Sequence, residues 1–357
     1  VRKFFIILFS LASLALFIEV GRDLYFLFTP NSQDPSFKIL LVEPGSFTKT
    51  SELLYTEGLI KNPKRFSLLA RVMRLTSEVK VGEYEVQMNM TPFQLLKVIT
   101  SGKSVLHAVH IPEGFNLDQI ADELAEKDLV DREEFIKLAR DPRMAHFLGV
   151  KETTLEGYLY PETYSFTHFT GERMILKTMV DKFFEVYNRE IKFAAEKQSK
   201  SLHDIVTLAS IIEKETGAPE ERPMIASVFY NRLKLNMLLQ TDPTVIYGKK
   251  GDKKNITRKD LTDANPYNTY VHKGLPIGPI SNPGKESLLA AIEPADSKYL
   301  YFVSQNNGTH TFSRTYTDHL KAVTKFQLNP KARDGKSWRD LKNRGQAVSP
   351  KPSAGIN

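Results

Sequence analysis

Apolar and polar positions follow three rhythms along this chain. The first is an apolar stretch, Phe4 to Ile18, behind Arg2 and Lys3 and ahead of Glu19, Arg22 and Asp23. Basic residues before such a span favour leaving the N-terminus in the cytoplasm. The stretch is short for a membrane-crossing helix, which takes about 20 residues, so a cleaved signal peptide is the rival reading. No small-x-small cleavage site follows the apolar run. An uncleaved single-pass anchor over residues 1–28 is therefore expected, with everything from about residue 30 on the exported side.

The second rhythm is an internal repeat. Val42-Glu43-Pro44-Gly45-Ser46-Phe47 is similar to Ile111-Pro112-Glu113-Gly114-Phe115, and Phe66 to Arg71 is similar to Phe135 to Arg140. Both pairs share one offset, 114 minus 45 and 135 minus 66, each 69. Each copy reads as a strand, a Gly turn, a helix, a polar break and a second helix. The first copy closes on Val79 to Val86, which alternates like a strand. A βααβ module is expected over 38–105, and a second repeat-like unit over 106–150.

The third rhythm is helical. In Ile205 to Gly217, residues Leu208, Ile211, Ile212 and Glu215 fall at i, i+3, i+4 and i+7 on one stripe, while Glu213 points elsewhere. Gly217 is placed to end this helix at C′, and Pro219 stops it from continuing. Burial and a helix C-terminus both disfavour an ionised carboxylate, so Glu215 is expected to hold its proton near neutral pH, as a general acid must. The plainer alternative has Glu215 reaching solvent or pairing with Lys214 or Arg222. A second amphipathic helix follows over Met224 to Leu233. A polar one over 171–198 is the expected partner of the Glu215 helix. Tyrosine-rich residues 154–166 suit either a sugar platform or a half-buried strand, and Glu162 within them reads as a surface or turn acid. Strands at 299–304 and 309–313 flank Asn307-Gly308, a hairpin signal; His310 on the second strand reads as structural.

Composition narrows the classes. With 41% hydrophobic and 25% charged residues the chain is an ordinary globular protein. The formal charge is +7, but from Leu328 onward seven basic residues face only Asp334 and Asp340, so seven minus two, or +5, sits in the tail. The remainder is nearly neutral, which argues against nucleic acid as a partner. Residues 328–357 read as a basic disordered tail. The chain has no cysteine, hence no disulfide, thiolate metal site or cysteine nucleophile. It also shows no G-x-S-x-G, no H-E-x-x-H, no phosphate-binding Gly loop and no clustered metal-ligand pattern.

Further motifs follow the Glu215 helix. In order, Ala209 to Thr216 (ASIIEKET), Ala226 to Leu233 (ASVFYNRL), Leu239 to Gly248 (LQTDPTVIYG), Tyr267 to Tyr270 (YNTY) and Gly274 to Gly284 (GLPIGPISNPG) resemble the endolytic murein transglycosylase, or YceG-like, family over roughly residues 38–327. The resemblance implies an α+β protein: an N-terminal membrane helix, LysM-like βααβ modules that contact N-acetylglucosamine glycans or simply space the domains, and a mixed α/β catalytic domain over 151–327. It makes Glu215, the acid before Thr in EKET, the catalytic residue. It also implies peptidoglycan strands and the cytoplasmic membrane as partners, peptidoglycan synthases of the penicillin-binding class as candidate partners, and no cofactor or metal.

Glycosidases ordinarily need two carboxylates. A lytic transglycosylase can work with one, because the C6 hydroxyl of N-acetylmuramic acid attacks C1 and closes a 1,6-anhydro ring. Asn231, Gln240, Thr241 and Asn268 can hydrogen-bond N-acetyl and hydroxyl groups, or serve turns and caps. Arg232 can hold a stem-peptide carboxylate or pair with Glu220 or Glu221. Asp242 either shapes the turn before Pro243 and caps the next element, or binds substrate. As a second carboxylate it would permit a muramidase instead. A catalytically silent wall-binding scaffold is the reading from another class.

Overall fold

The structure, a computed structural model, describes residues 2–198, 200–249 and 256–329; the expected basic tail lies outside the described residues from residue 330 onward. The chain forms two compact units. One runs to Ala108 and includes Ser165–Gly171; the other comprises Val109–Tyr164 and Glu172 onward.

The first unit opens with helix α1, Arg2–Phe28. Its 27 residues span about 40 Å at 1.5 Å per residue, more than a hydrocarbon core of about 30 Å. The helix thus runs on past the apolar Phe4–Ile18 stretch, to Phe28. The charges that seemed to close it are paired: Arg22 meets Glu19 one turn away at 2.8 Å, and Arg65 meets both Glu19 and Asp23 at 2.8 Å. Neutralised in this way, they do not interrupt the helix, which continues through Leu24 to Phe28.

Next come β1 (Phe37–Val42), α2 (Phe47–Thr56), α3 (Pro63–Val72), β2 (Gly82–Gln87) and α4 (Pro92–Ser101). Side-chain caps start the helices: Ser46 accepts from the Lys49 N–H, Asn62 from the Arg65 N–H, and Thr91 with Gln94 forms a capping box. β1 and β2 pair antiparallel, with Phe37 opposite Gln87 and Val42 opposite Gly82. Strand alternation turns Leu40, Val42, Tyr84 and Val86 into a core shared with Leu54, Phe66, Leu95 and Ile99. The β-α-α-β order expected from the repeat is present here.

The chain crosses to the second unit within β3 (His107–His110) and returns within β4 (Thr163–Phe166); these two strands pair. Between them lie α5 (Leu117–Glu126), α6 (Arg132–Ala139) and α7 (Pro142–Phe147). The second repeat copy therefore gains a helix and closes on β4, beyond residue 150. Tyr158 and Tyr164 of the tyrosine-rich stretch are buried; Tyr158 meets Phe183 edge-on at 5.1 Å.

The rest of this unit is α8 (Glu172–Val186), α9 (Lys192–Lys197), α10 (Leu202–Glu215), α11 (Arg222–Lys234), α12 (Asp242–Gly248), α13 (Lys285–Ile292), β5 (Tyr301–Ser304), β6 (His310–Ser313) and α14 (Tyr316–Val323). α8 and α9 form the expected 171–198 helix, interrupted by a π turn at Tyr187–Ile191. The helix carrying Glu215 packs most extensively on α13 rather than on that pair. α13 is the better partner because it buries Leu288, Ala290, Ala291 and Ile292 on a short apolar helix. β5 and β6 form the predicted hairpin, Ser304 opposite His310. Its loop is longer than a two-residue turn, with Asn306 and Gly308 both left-handed at φ 63° and 94°. The fold is mixed α and β, mostly helical, and among the described residues its strands form only two-stranded sheets.

Candidate active site

Ser201 caps α10, its side chain accepting from the Asp204 N–H. The sequence suggests one apolar stripe, yet every residue from Ile205 to Ile212 is buried. The second covering face comes from the GLPIGPISNPG segment. The Ile280 N–H donates to Ser210 Oγ at 3.0 Å, and Ser281 Oγ donates to the Ser210 carbonyl at 3.1 Å. Gly157 closes the other side at φ 88°: a Cβ there would stand 2.6 Å from Pro279 and 2.7 Å from Val206. Only glycine tolerates both the backbone and the approach.

The two acids at the end of α10 have different surroundings. Glu213 receives the Arg222 guanidinium at 2.9 Å and the Gly284 N–H at 3.0 Å. Arg222 also reaches Glu113 at 3.3 Å. Lys214 donates to the Gly114 carbonyl at 3.1 Å. Neither cation pairs with Glu215, for which no ion-pair partner exists among the described residues. Burial pushes the Glu215 carboxyl up to about 7, and the Asp242 charge pushes the same way; the Thr241 side chain, His310 and Arg232 pull it down. A carboxyl of this kind exchanges a proton near neutral pH. The helix ends at Thr216, which turns extended (φ −134°, ψ 141°) while its hydroxyl accepts from the Ala218 N–H at 2.9 Å. Thr216, and not a left-handed residue at the cap, makes the stop.

The segment after α11 brings two of the expected residues, Thr241 and Asp242, to Glu215; Gln240 precedes them in the same loop. Gln240 is exposed and left-handed, φ 49°. The Thr241 hydroxyl is buried without an ideal hydrogen bond among the described residues, and Thr241 is a neighbour that biases Glu215. Thr241, not Asp242, occupies the cap position of α12. Asp242 sits in the first turn, where the helix dipole favours a carboxylate, and accepts from the Tyr270 hydroxyl at 2.7 Å. The loop is pinned from behind: the Gln240 N–H donates to the Thr269 carbonyl and the Thr241 N–H to Thr269 Oγ1.

The other expected residues hold backbone. Arg232 is buried, donating to the carbonyls of Leu300 and Leu239 at 2.7 Å each, with Tyr301 under its guanidinium. Asn231 donates to the carbonyls of Ser297 and Tyr299 at 2.9 Å. Asn268 donates to those of Asp260 and Asp263. Exposed Glu162 accepts from the neighbouring Thr163 N–H on its carboxylate and from the Ile111 N–H on its carbonyl.

Several residues that shape the site gave little signal in sequence. His310 binds Glu221 through both its backbone N–H and Nδ1, at 2.9 and 2.7 Å, and lies near enough to Glu215 to favour its ionised form. Tyr270 stood inside a recognised motif, but nothing marked it as the partner of Asp242. Glu156 is a second carboxyl that burial raises to about 7. It is enclosed, accepting from the Leu117 N–H, the Tyr247 hydroxyl and the Asn282 amide. Asn282 in turn binds the Leu159 N–H and the Phe115 carbonyl, so this acid ties the polar core together.

Residues 40–325 match the YceG-like family, and the chain belongs to it. The endolytic murein transglycosylase of Bacillus subtilis is 34% identical over 301 residues, 79% of this chain and 82% of that protein. Its counterpart of the same name in Streptococcus pneumoniae R6 is 31% identical over 316 residues, 79% of this chain but 56% of that longer protein. A solved yceG-like protein of Listeria monocytogenes superimposes with a TM-score of 0.56 at 36% identity, over 81% of this chain and all of that one.

Proposed function

We propose that this protein is a membrane-anchored lytic transglycosylase that cleaves the β-1,4 bond between N-acetylmuramic acid and N-acetylglucosamine within peptidoglycan strands. The observation that carries this is Glu215: one carboxyl at the end of a buried helix, raised to about 7 and without a counterion among the described residues. In its acid form Glu215 protonates the glycosidic oxygen, and the N-acetylglucosamine side departs as an alcohol. The muramic acid C6 hydroxyl then attacks C1, and the Glu215 carboxylate takes the hydroxyl proton. No water enters, and Glu215 ends protonated for the next cut. The internal hydroxyl outcompetes water by its effective concentration.

Gln240, Thr241 and Asp242 contact the glycan, with Tyr270 fixing Asp242. Asn231, Arg232 and Asn268 act by holding the loops that present them. The β1-α2-α3-β2 order supports a LysM-like module that meets N-acetylglucosamine. Arg2 and Lys3 at the start of α1 support a cytoplasmic N-terminus, with everything after the anchor on the exported side, beside the peptidoglycan synthases whose nascent strands would be cut. The test is product analysis in oxygen-18 water. Unlabelled products with anhydro ends, one water lighter than hydrolysis products, are expected. Labelled reducing-end muramic acid as the main product would instead make Glu215 and Asp242 a muramidase pair, and no release of glycan at all would leave a wall-binding scaffold.

A further inference from the structure

We propose that Glu83, His107 and His168, all in the first unit, form a zinc site. Each offers one donor atom, and the three lie within 4.8 Å of one another. The Glu83 carboxylate lies between two imidazoles: Oε2 meets His107 Nε2, and Oε1 stands 3.5 Å from His168 Nε2. The rings themselves are 4.1 Å apart, centre to centre. Donors held about 2.0–2.1 Å from one zinc ion stand a little over 3 Å from each other, so this spacing needs only side-chain adjustment to close on an ion.

The placement of Glu83 is unusual for a strand acid. On β2 it shares the outward face with exposed Glu85, opposite the core residues Tyr84 and Val86, yet Glu83 is buried. Its backbone is fixed on both sides: its N–H donates to Ser104 Oγ and its carbonyl accepts from the Val105 N–H. A covered carboxylate facing two imidazole nitrogens is a poor site for calcium or magnesium, which prefer all-oxygen shells. It suits zinc, with water as the fourth ligand.

The location suggests what the ion does. His107 lies just before the chain leaves the first unit, and His168 lies in Ser165–Gly171, the segment that comes back to it. A zinc ion would fasten both to β2. The residues are 24 and 61 positions apart in sequence (107 minus 83; 168 minus 107), which is why no metal-ligand pattern is legible there.

The test uses the full chain in detergent, stripped with a chelator and titrated with zinc alone against a chromophoric competitor. One equivalent bound with submicromolar affinity is expected. His107→Ala and His168→Ala should each weaken it by at least roughly 100-fold, the upper range for losing even a group that only hydrogen-bonds a metal ligand; His272→Ala, at an exposed histidine elsewhere, should not. Cobalt loading should give the visible absorption of a four-coordinate site. Should the histidine variants fail to fold, Glu83→Gln decides, with circular dichroism as the check on folding, because it removes the anionic ligand and keeps a hydrogen-bonding side chain. Zinc binding only in the millimolar range, or unchanged in these variants, would overturn the site and leave a carboxylate–imidazole hydrogen-bond cluster.

Discussion

The Tyr270 hydroxyl donates to Asp242 Oδ1 at 2.7 Å, and the carboxylate it holds is one of the charges that raise the pKa of Glu215. Asp242→Asn should therefore lower the Glu215 pKa. Since Glu215 must be protonated to start the reaction, kcat/KM falls as pH rises through that pKa, about 7 in the wild type. In the variant this alkaline limb should move to lower pH, with anhydro products retained. A limb that stays in place, or a change in product type, would show that Asp242 acts otherwise.

Glu215→Gln should keep the fold and lose cleavage, by roughly 100- to 10,000-fold or more, the range for removing a general acid–base. It should also change the pH dependence of stability. The folded pKa lies above the ordinary value of 4.5, so the folded state binds more protons between the two. Wild-type stability is full below about 4.5 and falls as pH rises to about 7, by on the order of 2–3 kcal/mol after allowing for partial exposure. The amide has no such loss. Urea titrations at pH 4 and pH 8 measure the difference.

Glu213→Ala should do the opposite. It takes the 2.9 Å partner from the buried Arg222 guanidinium, which keeps Glu113 at 3.3 Å, and the acceptor from the Gly284 N–H; losing such charge-assisted hydrogen bonds typically costs about 1–3 kcal/mol. Thermal melts should show the loss. The remaining folded enzyme, counted by active-site titration, should keep a pH profile centred on Glu215.

Gly157→Ala should destabilise the second unit, because the new methyl meets Pro279 and Val206 within 2.7 Å at a left-handed backbone position. A cost of about 1–3 kcal/mol is expected for overpacking alone. Kinetics should show reduced kcat, since Val206 belongs to α10. A wild-type melting temperature would mean that the loop gives way instead.

The protein should stay with membranes through high salt and leave only with detergent, since α1 is held by apolar transfer and not by screened charge. Release by salt, or a mature form lacking the first twenty-odd residues, would identify a cleaved signal instead.

The sequence alone was enough to expect α1, the β-α-α-β order, the Glu215 helix and the 299–313 hairpin, because each depends on residues a few positions apart. Apolar spacing selects helix or strand, caps set the ends, and left-handed residues such as Asn306 and Gly308 make the turn. Glu215 could be singled out because its position on the α10 stripe is a local property. What the neighbouring polar residues do was decided elsewhere. Arg232 reads as a carboxylate binder until Leu300, 68 residues on, delivers a carbonyl to it; Arg222 and Gly284 arrive beside Glu213, while Thr241 and Asp242 arrive beside Glu215. The pairing of Tyr270 with Asp242, the enclosure of Glu156 and the meeting of Glu83 with two histidines likewise required the chain to fold first. Local pattern sets which segments form, but a polar side chain's partner, and with it its charge and pKa, is set by whichever distant group the packed chain brings within 3 Å or so.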